Sequence, residues 1–291
     1  MIDIHIHILP GLDDGAKTLE ESLRMCQMSS QDGVRTIVAT PHTGNGHYSN
    51  NRGTILEKVK ELSEALNHFR IRNSDFGLDH LSRVVQFAVG DPQSAMGLKD
   101  SPDSELRTSN SELLPFRILP GADVHFSPDI LRLVEEGEFE TVNDNGLFLM
   151  VEFPFQGIPF RAEEVLFKLI AKRIIPIITH PERNFEIGQK PRRYYELIRM
   201  GCLGQVTAMS LTGQFGTEIK RVAEKLLRNS LIHFIASDAH SANGRPPVLS
   251  SAVKAAAKIV GEEEAQKMVT DYPQAIIEGK RPKVPEPKEV K

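Results

Sequence analysis

The chain has 291 residues, 40% hydrophobic and 25% charged, which is enough for one large core or two smaller ones. A formal net charge of -4 with no concentrated basic stripe argues against nucleic acid as the main partner. No apolar run approaches the roughly 20 residues of a membrane span, and no basic stretch followed by an apolar one precedes the first strand, so a cytoplasmic protein with no membrane span is expected.

The run from Ile2 to Ile8 alternates strictly, as a β-strand with two different faces does. Asp3, His5 and His7 share one face, so two imidazoles two residues apart form a bidentate metal grip. A turn-rich loop with the paired carboxylates Asp13 and Asp14 follows. A helix then starts at Thr18, where Thr18 and Glu21 form a capping box ahead of Leu19, Leu23 and Cys26, and Gly33 marks its end. Thr36 to Thr40 reads as a second strand running into Pro41-His42, and Ile55, Val59, Leu62, Leu66 and Phe69 draw one stripe along the next helix.

Residues 70 to 116 interrupt this rhythm. The stretch 91 to 112 is polar and holds two prolines, too little apolar area to order itself, so a partly disordered surface insertion is expected. One strand over 116 to 124 places Asp123 near its end. Further strands over 147 to 151, 174 to 179 and 232 to 237 run into Glu152, into His180, and into Asp238 and His240. Helices at about 161 to 173, 216 to 229 and 247 to 260 separate them. Residues 1 to 280 read as a single barrel domain, and the proline-rich, charged tail from 281 to 291 as disordered.

In chain order the metal-binding candidates are His5, His7, Asp14, His42, Asp123, Glu152, His180, Asp238 and His240. Parallel strands whose carboxyl ends all carry such residues build a site where barrel enzymes place their chemistry. A first-row metal takes about four to six donors, so this set exceeds one ion and suits three, with Mn, Fe, Zn or Co compatible with imidazole and carboxylate donors. His68, His80, His125 and His233 lack a strand-end position and read as surface or core residues. His47 does too, although with Tyr48 it lies in the loop after His42, where it could border a substrate. Cys26 and Cys202 lie in apolar context outside any metal-binding spacing and read as reduced packing residues.

The segments DIHIHILPGLDDGAKT, ATPH, LPGADV, VEFPF, THPERN and SDAH resemble those of the PHP (polymerase and histidinol phosphatase) superfamily. More narrowly, they resemble the manganese-dependent protein-tyrosine phosphatases encoded with bacterial capsule and exopolysaccharide genes. The resemblance implies an α/β fold, a distorted seven-stranded β/α barrel, around three divalent metal ions, most often manganese. By motif, one ion takes His5, His7 and Asp238, a second Glu152 and His180, and a third Asp14, His42 and His240. Asp123 bridges the first two, at a position where the family usually has glutamate. Arg183 and Arg245 match its phosphate-binding arginines.

The implied activity is hydrolysis of phosphotyrosine by metal-activated hydroxide, on tyrosine kinases that control polysaccharide export. A small-molecule phosphatase, such as one acting on histidinol phosphate, and a phosphodiesterase are the enzymatic alternatives. A catalytically silent binding module is another, opposed by the complete ligand set. A cysteine-based phosphatase needs an arginine six residues after its nucleophile, but Asp32 and Ala208 stand there.

Overall fold

The computed structural model describes residues 1–74 and 116–290, so the expected insertion, with its disorder, lies almost wholly outside the described residues. The chain divides into two compact units, Met1–Ser63 with Phe116–Lys291, and Glu64–Pro115. The first holds every candidate site residue.

Nine parallel-paired strands organise this unit: β1 (Ile2–Ile6), β2 (Thr36–Ala39), β3 (His42–Thr43), β4 (Arg117–Pro120), β5 (Asp123–His125), β6 (Phe148–Glu152), β7 (Ile175–Thr179), β8 (Leu203–Thr207) and β9 (Phe234–Ala236). They form a three-stranded sheet in the order β1-β2-β4 and a six-stranded sheet in the order β3-β5-β6-β7-β8-β9. Just beyond β9, Ile6 bridges Ala239, the His7 amide donates to the Ala239 carbonyl at 2.9 Å, and the Asp238 amide donates to the His5 carbonyl at 2.8 Å. The start of the chain is thereby tied to the segment after its last strand.

The stretches expected as two unbroken strands are each interrupted. β2 gives way to β3 at Thr40-Pro41, and β4 to β5 at Gly121-Ala122, with partners at the same offset on both sides of the break. Pro41 has no N–H to donate, but its carbonyl still accepts the Asp123 amide at 3.1 Å. Gly121 fits where a Cβ would lie 2.6 Å from Val38 Cγ1 and 3.2 Å from Thr40 Cγ2. The paired breaks therefore turn His42 and Asp123 together toward the same end of the sheet, in register with each other.

Among the described residues the α-helices are α1 (Leu19–Gln31), α2 (Arg52–Ser74), α3 (Ile130–Glu135), α4 (Ala162–Ala171), α5 (Phe185–Gln189), α6 (Arg192–Met200), α7 (Ala208–Thr212), α8 (Thr217–Arg228), α9 (Ser250–Val260), α10 (Glu262–Lys267) and α11 (Asp271–Ile277). Thr18 caps α1 by accepting the Glu21 amide at 3.2 Å, but the Glu21 carboxylate reaches the Lys17 amide rather than that of Thr18. The strands are buried on both faces, with Ile4, Ile37, Leu149, Ile177, Val206 and Ile235 fully enclosed.

The tail departs from its expected disorder. It carries no regular element, yet Arg281 donates to the Gly201 carbonyl at 3.1 Å, the Lys288 amide donates to the Asn229 carbonyl at 2.9 Å, and Pro282 is buried. Gly201 and Asn229 end α6 and α8, where carbonyls lack partners within the helix, and the tail supplies the donors.

Strand β8 carries no clear sequence pattern, because Gly204 and Gln205 dilute its apolar residues. A Cβ at Gly204 would lie 2.1 Å from the Tyr194 hydroxyl oxygen and 2.5 Å from the Leu231 carbonyl oxygen, between which a 3.0 Å hydrogen bond runs. Gly204→Ala is expected to destabilise the fold by about 1–3 kcal/mol through overpacking. Denaturant unfolding checks this, and wild-type stability would show that Tyr194 yields without cost.

Candidate metal centre

His5 of β1 and His7, just beyond its end, are oriented from behind. His5 Nδ1 lies 2.9 Å from Gln205 Oε1, and His7 Nδ1 lies 2.6 Å from Asp13 Oδ2. Both partner oxygens only accept, so each ring carries its proton on Nδ1 and turns a lone pair on Nε2 toward its neighbour. The two Nε2 atoms sit 3.1 Å apart, a separation that suits two nitrogens on one cation. Asp13 is held in turn by the Gly15 amide on one oxygen and the His42 amide on the other, both at 2.9 Å. A Cβ at Gly15 would lie 2.2 Å from the His7 carbonyl oxygen, so the loop closes onto β1 only with glycine there.

Three groups of donor atoms gather within metal-binding reach: His7, Asp14, His42 and His240; His5, His7 and Asp238; and His42, Asp123 and Glu152. His180 completes the set, its Nε2 3.6 Å from Glu152 Oε1 and 3.9 Å from Asp123 Oδ2. All nine sequence candidates thus converge. His7 lies in two of the groups, and His42 spans two through different nitrogens, Nε2 3.7 Å from Asp14 and Nδ1 3.3 Å from Asp123.

At the centre stands Asp123. Its Oδ1 accepts from the Thr179 hydroxyl at 3.0 Å. Its buried Oδ2 accepts no hydrogen bond among the described residues and lies 3.3 to 3.9 Å from nitrogens of His42, His5 and His180. Burial works to raise its pKa, but these histidines outweigh it and hold the carboxyl below the usual carboxylate range. Burial lowers His7 well below the ordinary histidine value and His180 to about 4, which leaves their nitrogens free to ligate. His42 goes the other way, to about 10: burial opposes the rise, but Asp123, Glu152 and Asp13 prevail. It sits where carboxylate charge is in excess, and a cation there would replace the proton.

Asp238 divides its carboxylate. Oδ1 faces the histidines, 3.6 Å from His7 and His240 and 3.8 Å from His5. Oδ2 accepts from Arg183 at 3.0 Å and from the Thr207 hydroxyl at 3.2 Å, and pairs with Arg245 at 2.5 Å. Both sequence-selected arginines therefore border the donor cluster. His180 (φ 33°) and Asp238 (φ 51°) lie in the left-handed region, a strain of about 1–3 kcal/mol each that functional sites often hold.

Several residues at the site carried little sequence signal. Asp13 was visible only as half of a carboxylate pair, and Gln205 not at all. Asp3 ties β1 to the end of β9, its Oδ1 accepting the amides of His5 at 3.3 Å and Ser237 at 3.0 Å, and burial pushes its carboxyl up to about 6. Glu182, pushed up to about 7 by burial, accepts from the Thr207 amide at 3.0 Å and the Ser210 hydroxyl at 2.6 Å. His125, read as a bystander, lies 3.5 Å from Glu152. Cys26 and Cys202 are buried, and burial raises both thiols to about 12, far from a reactive thiolate.

The family described as capsular polysaccharide synthesis, CpsB/CapC, matches residues 1–75 and 98–278. The chain belongs to the CpsB/CapC family. The CpsB/CapC match spans all nine candidate ligands and both arginines, and it skips 76–97, inside the stretch expected as an insertion. Tyrosine-protein phosphatase YwqE of Bacillus subtilis is 32% identical over 245 residues, 84% of this chain and 79% of that one. The putative tyrosine-protein phosphatase CapC of Staphylococcus aureus is 33% identical over 250 residues, 86% of this chain and 80% of its own. A chain from the crystal structures of Bacillus subtilis YwqE and Streptococcus pneumoniae CpsB, described as metal-dependent tyrosine phosphatases, aligns with a TM-score of 0.80 and 30% identity, covering 100% of both chains. Among the described residues, no helix is long and apolar enough to cross a membrane.

Gln205→Leu should free the His5 ring and weaken metal binding about 10- to 100-fold, the usual cost of losing such a supporting hydrogen bond. Metal titration of the metal-stripped protein tests it. Unchanged affinity would mean that Gln205 does not orient His5.

Proposed function

We propose that this protein is a metal-dependent protein-tyrosine phosphatase acting in the cytoplasm on a tyrosine kinase that regulates capsule or exopolysaccharide synthesis. The observation that carries this is nine nitrogen and oxygen donors, without thiolate, converging at strand ends beside two arginines that share Asp238. Membership of the CpsB/CapC family and the similarity to YwqE and CapC, a tyrosine-protein phosphatase and a putative one, support the substrate class.

Three divalent ions fit the donors, manganese foremost and Fe, Zn or Co by the same chemistry. His5, His7 and Asp238 would hold one, Glu152 and His180 a second, and Asp14, His42 and His240 a third, with Asp123 shared between the first two. His7 has one free nitrogen, so it serves one ion although it lies near two groups. We further read the strands as one ring of seven, with β2 and β3 counted as one broken strand, β4 and β5 as another, and the Ile6 to Ala239 bridge as the seam.

When bound, the cations lower the pKa of water to furnish a nucleophile at neutral pH and offset the negative charge on the phosphoryl oxygens. Arg183 and Arg245 bind those oxygens, and a planar guanidinium engages two at once. Asp238 keeps the two guanidiniums adjacent despite their like charge. Asp13 and Gln205 fix the imidazoles. The departing tyrosine phenolate has a conjugate acid of pKa about 10, so it needs proton donation less than an alkyl alcohol does.

The purified protein should hydrolyse an aryl phosphate with added Mn and stop on addition of a strong chelator, while Cys26→Ser with Cys202→Ser keeps nearly the wild-type rate. Loss of activity in a folded double variant would refute the metal-based mechanism. Asp123→Asn should lower metal affinity at least about tenfold and depress turnover with it, whereas Asp123→Glu, the family's usual residue, should retain substantial activity. Full metal content and activity in Asp123→Asn would remove this carboxylate from the site.

A further inference from the structure

The loop after Glu152 carries a phenylalanine that the core does not use. Phe155 is 48% exposed, yet its surroundings are pinned. Its carbonyl accepts the Phe185 amide at 2.7 Å, the Pro154 carbonyl accepts from Asn184 at 2.8 Å, and the Ile158 amide donates to Glu186 at 3.0 Å. Arg193 donates to the Ile158 and Pro159 carbonyls at 3.2 and 3.3 Å while its guanidinium is paired with Glu163 and Glu186. A large apolar side chain held in water by this many backbone contacts is prepared for an occupant.

Its neighbours identify that occupant. The Arg183 guanidinium carbon lies 4.8 Å from the Phe155 ring centroid and 5.1 Å from that of Phe215, and the Phe155 ring is 6.1 Å from the His180 ring. The segment that bears His180 and Arg183 continues directly into Asn184 and Phe185, which hold the Phe155 loop. The phosphate-binding group and the exposed ring are thus set at a fixed separation by the same few hydrogen bonds. In phosphotyrosine the ring is joined to the phosphate through a single oxygen, so an aryl wall must stand one ring's breadth from the phosphate clamp. Phe155 stands there.

We propose that Phe155, aided by Phe215, stacks on the aromatic ring of the substrate and makes this site prefer aryl to alkyl phosphomonoesters. The proposal rests on the phosphatase function above. The competing role is local: both rings would only steady Arg183, in which case their loss weakens every phosphate ligand alike.

The test uses the Mn-loaded protein, with calorimetric binding of two probes that share a head group, a peptide containing phosphonomethyl-phenylalanine and methylphosphonate. In Phe155→Ala and Phe155→Leu the peptide should bind about three- to tenfold more weakly, the scale of one aromatic stacking contact, while methylphosphonate stays within about twofold. The ratio of kcat/KM for a phosphotyrosyl over a phosphoseryl peptide should fall by the same factor, and Phe155→Tyr should restore both readouts. Equal weakening of the two probes, or no change in either, overturns the proposal and leaves the phosphatase function standing. A wild-type protein inert toward every aryl phosphate overturns both.

Discussion

The site depends on a balance of buried charge at the carboxyl ends of the strands. Asp123 and Asp238 are sealed from water, where an isolated carboxylate is costly, and they remain ionised because imidazoles and guanidiniums crowd them. Burial in the same place suppresses protonation of His7 and His180. Acceptors that are deprotonated and packed this closely repel one another, and the scaffold holds them together through contacts made elsewhere. The strand pairings, the Asp3 link between β1 and the end of β9, and the hydrogen bonds behind His5 and His7 oppose that repulsion. Bound cations would relieve that repulsion.

The broken strands show how the fold serves this purpose. An uninterrupted strand from Thr36 to Thr43 would present residues on alternate faces without a bend. Interrupting two neighbours at the same register redirects both ends at once and brings His42 and Asp123 side by side. Gly121 permits the close approach, and Pro41 gives up a donor where the ladder is already interrupted. Left-handed backbone at His180 and Asp238 makes comparable turns at the ends of β7 and β9.

Much of this was legible because strands announce themselves twice, through apolar alternation and through what stands at their ends. Ile2 to Ile8 shows both, so His5 and His7 could be placed on one face from sequence alone, and the capping residue Thr18 was equally plain. Strand β8 shows neither sign, since its central residues are glycine and glutamine and no ligand follows it. The value of Gly204 and Gln205 comes from Tyr194 and His5, neighbours in space and far away in sequence. The order of the tail is hidden in the sequence for a related reason. Its proline and charge content matches that of free chain, while the helix-end carbonyls that receive it belong to other parts of the molecule.

The pairing of β1 with the segment after β9 bears on how the protein matures. Ile2 donates to the Val269 carbonyl, His7 to that of Ala239, and Asp238 to that of His5, so backbone pairing joins candidate ligands more than 200 residues apart in sequence. Pairing across such long sequence separation is slow to form, because a long loop must close first. Until then His5 and His7 stand without Asp238, whose Oδ1 lies 3.6 to 3.8 Å from their Nε2 atoms. The donor set around His5 and His7 is therefore complete only once these two distant stretches of chain have paired.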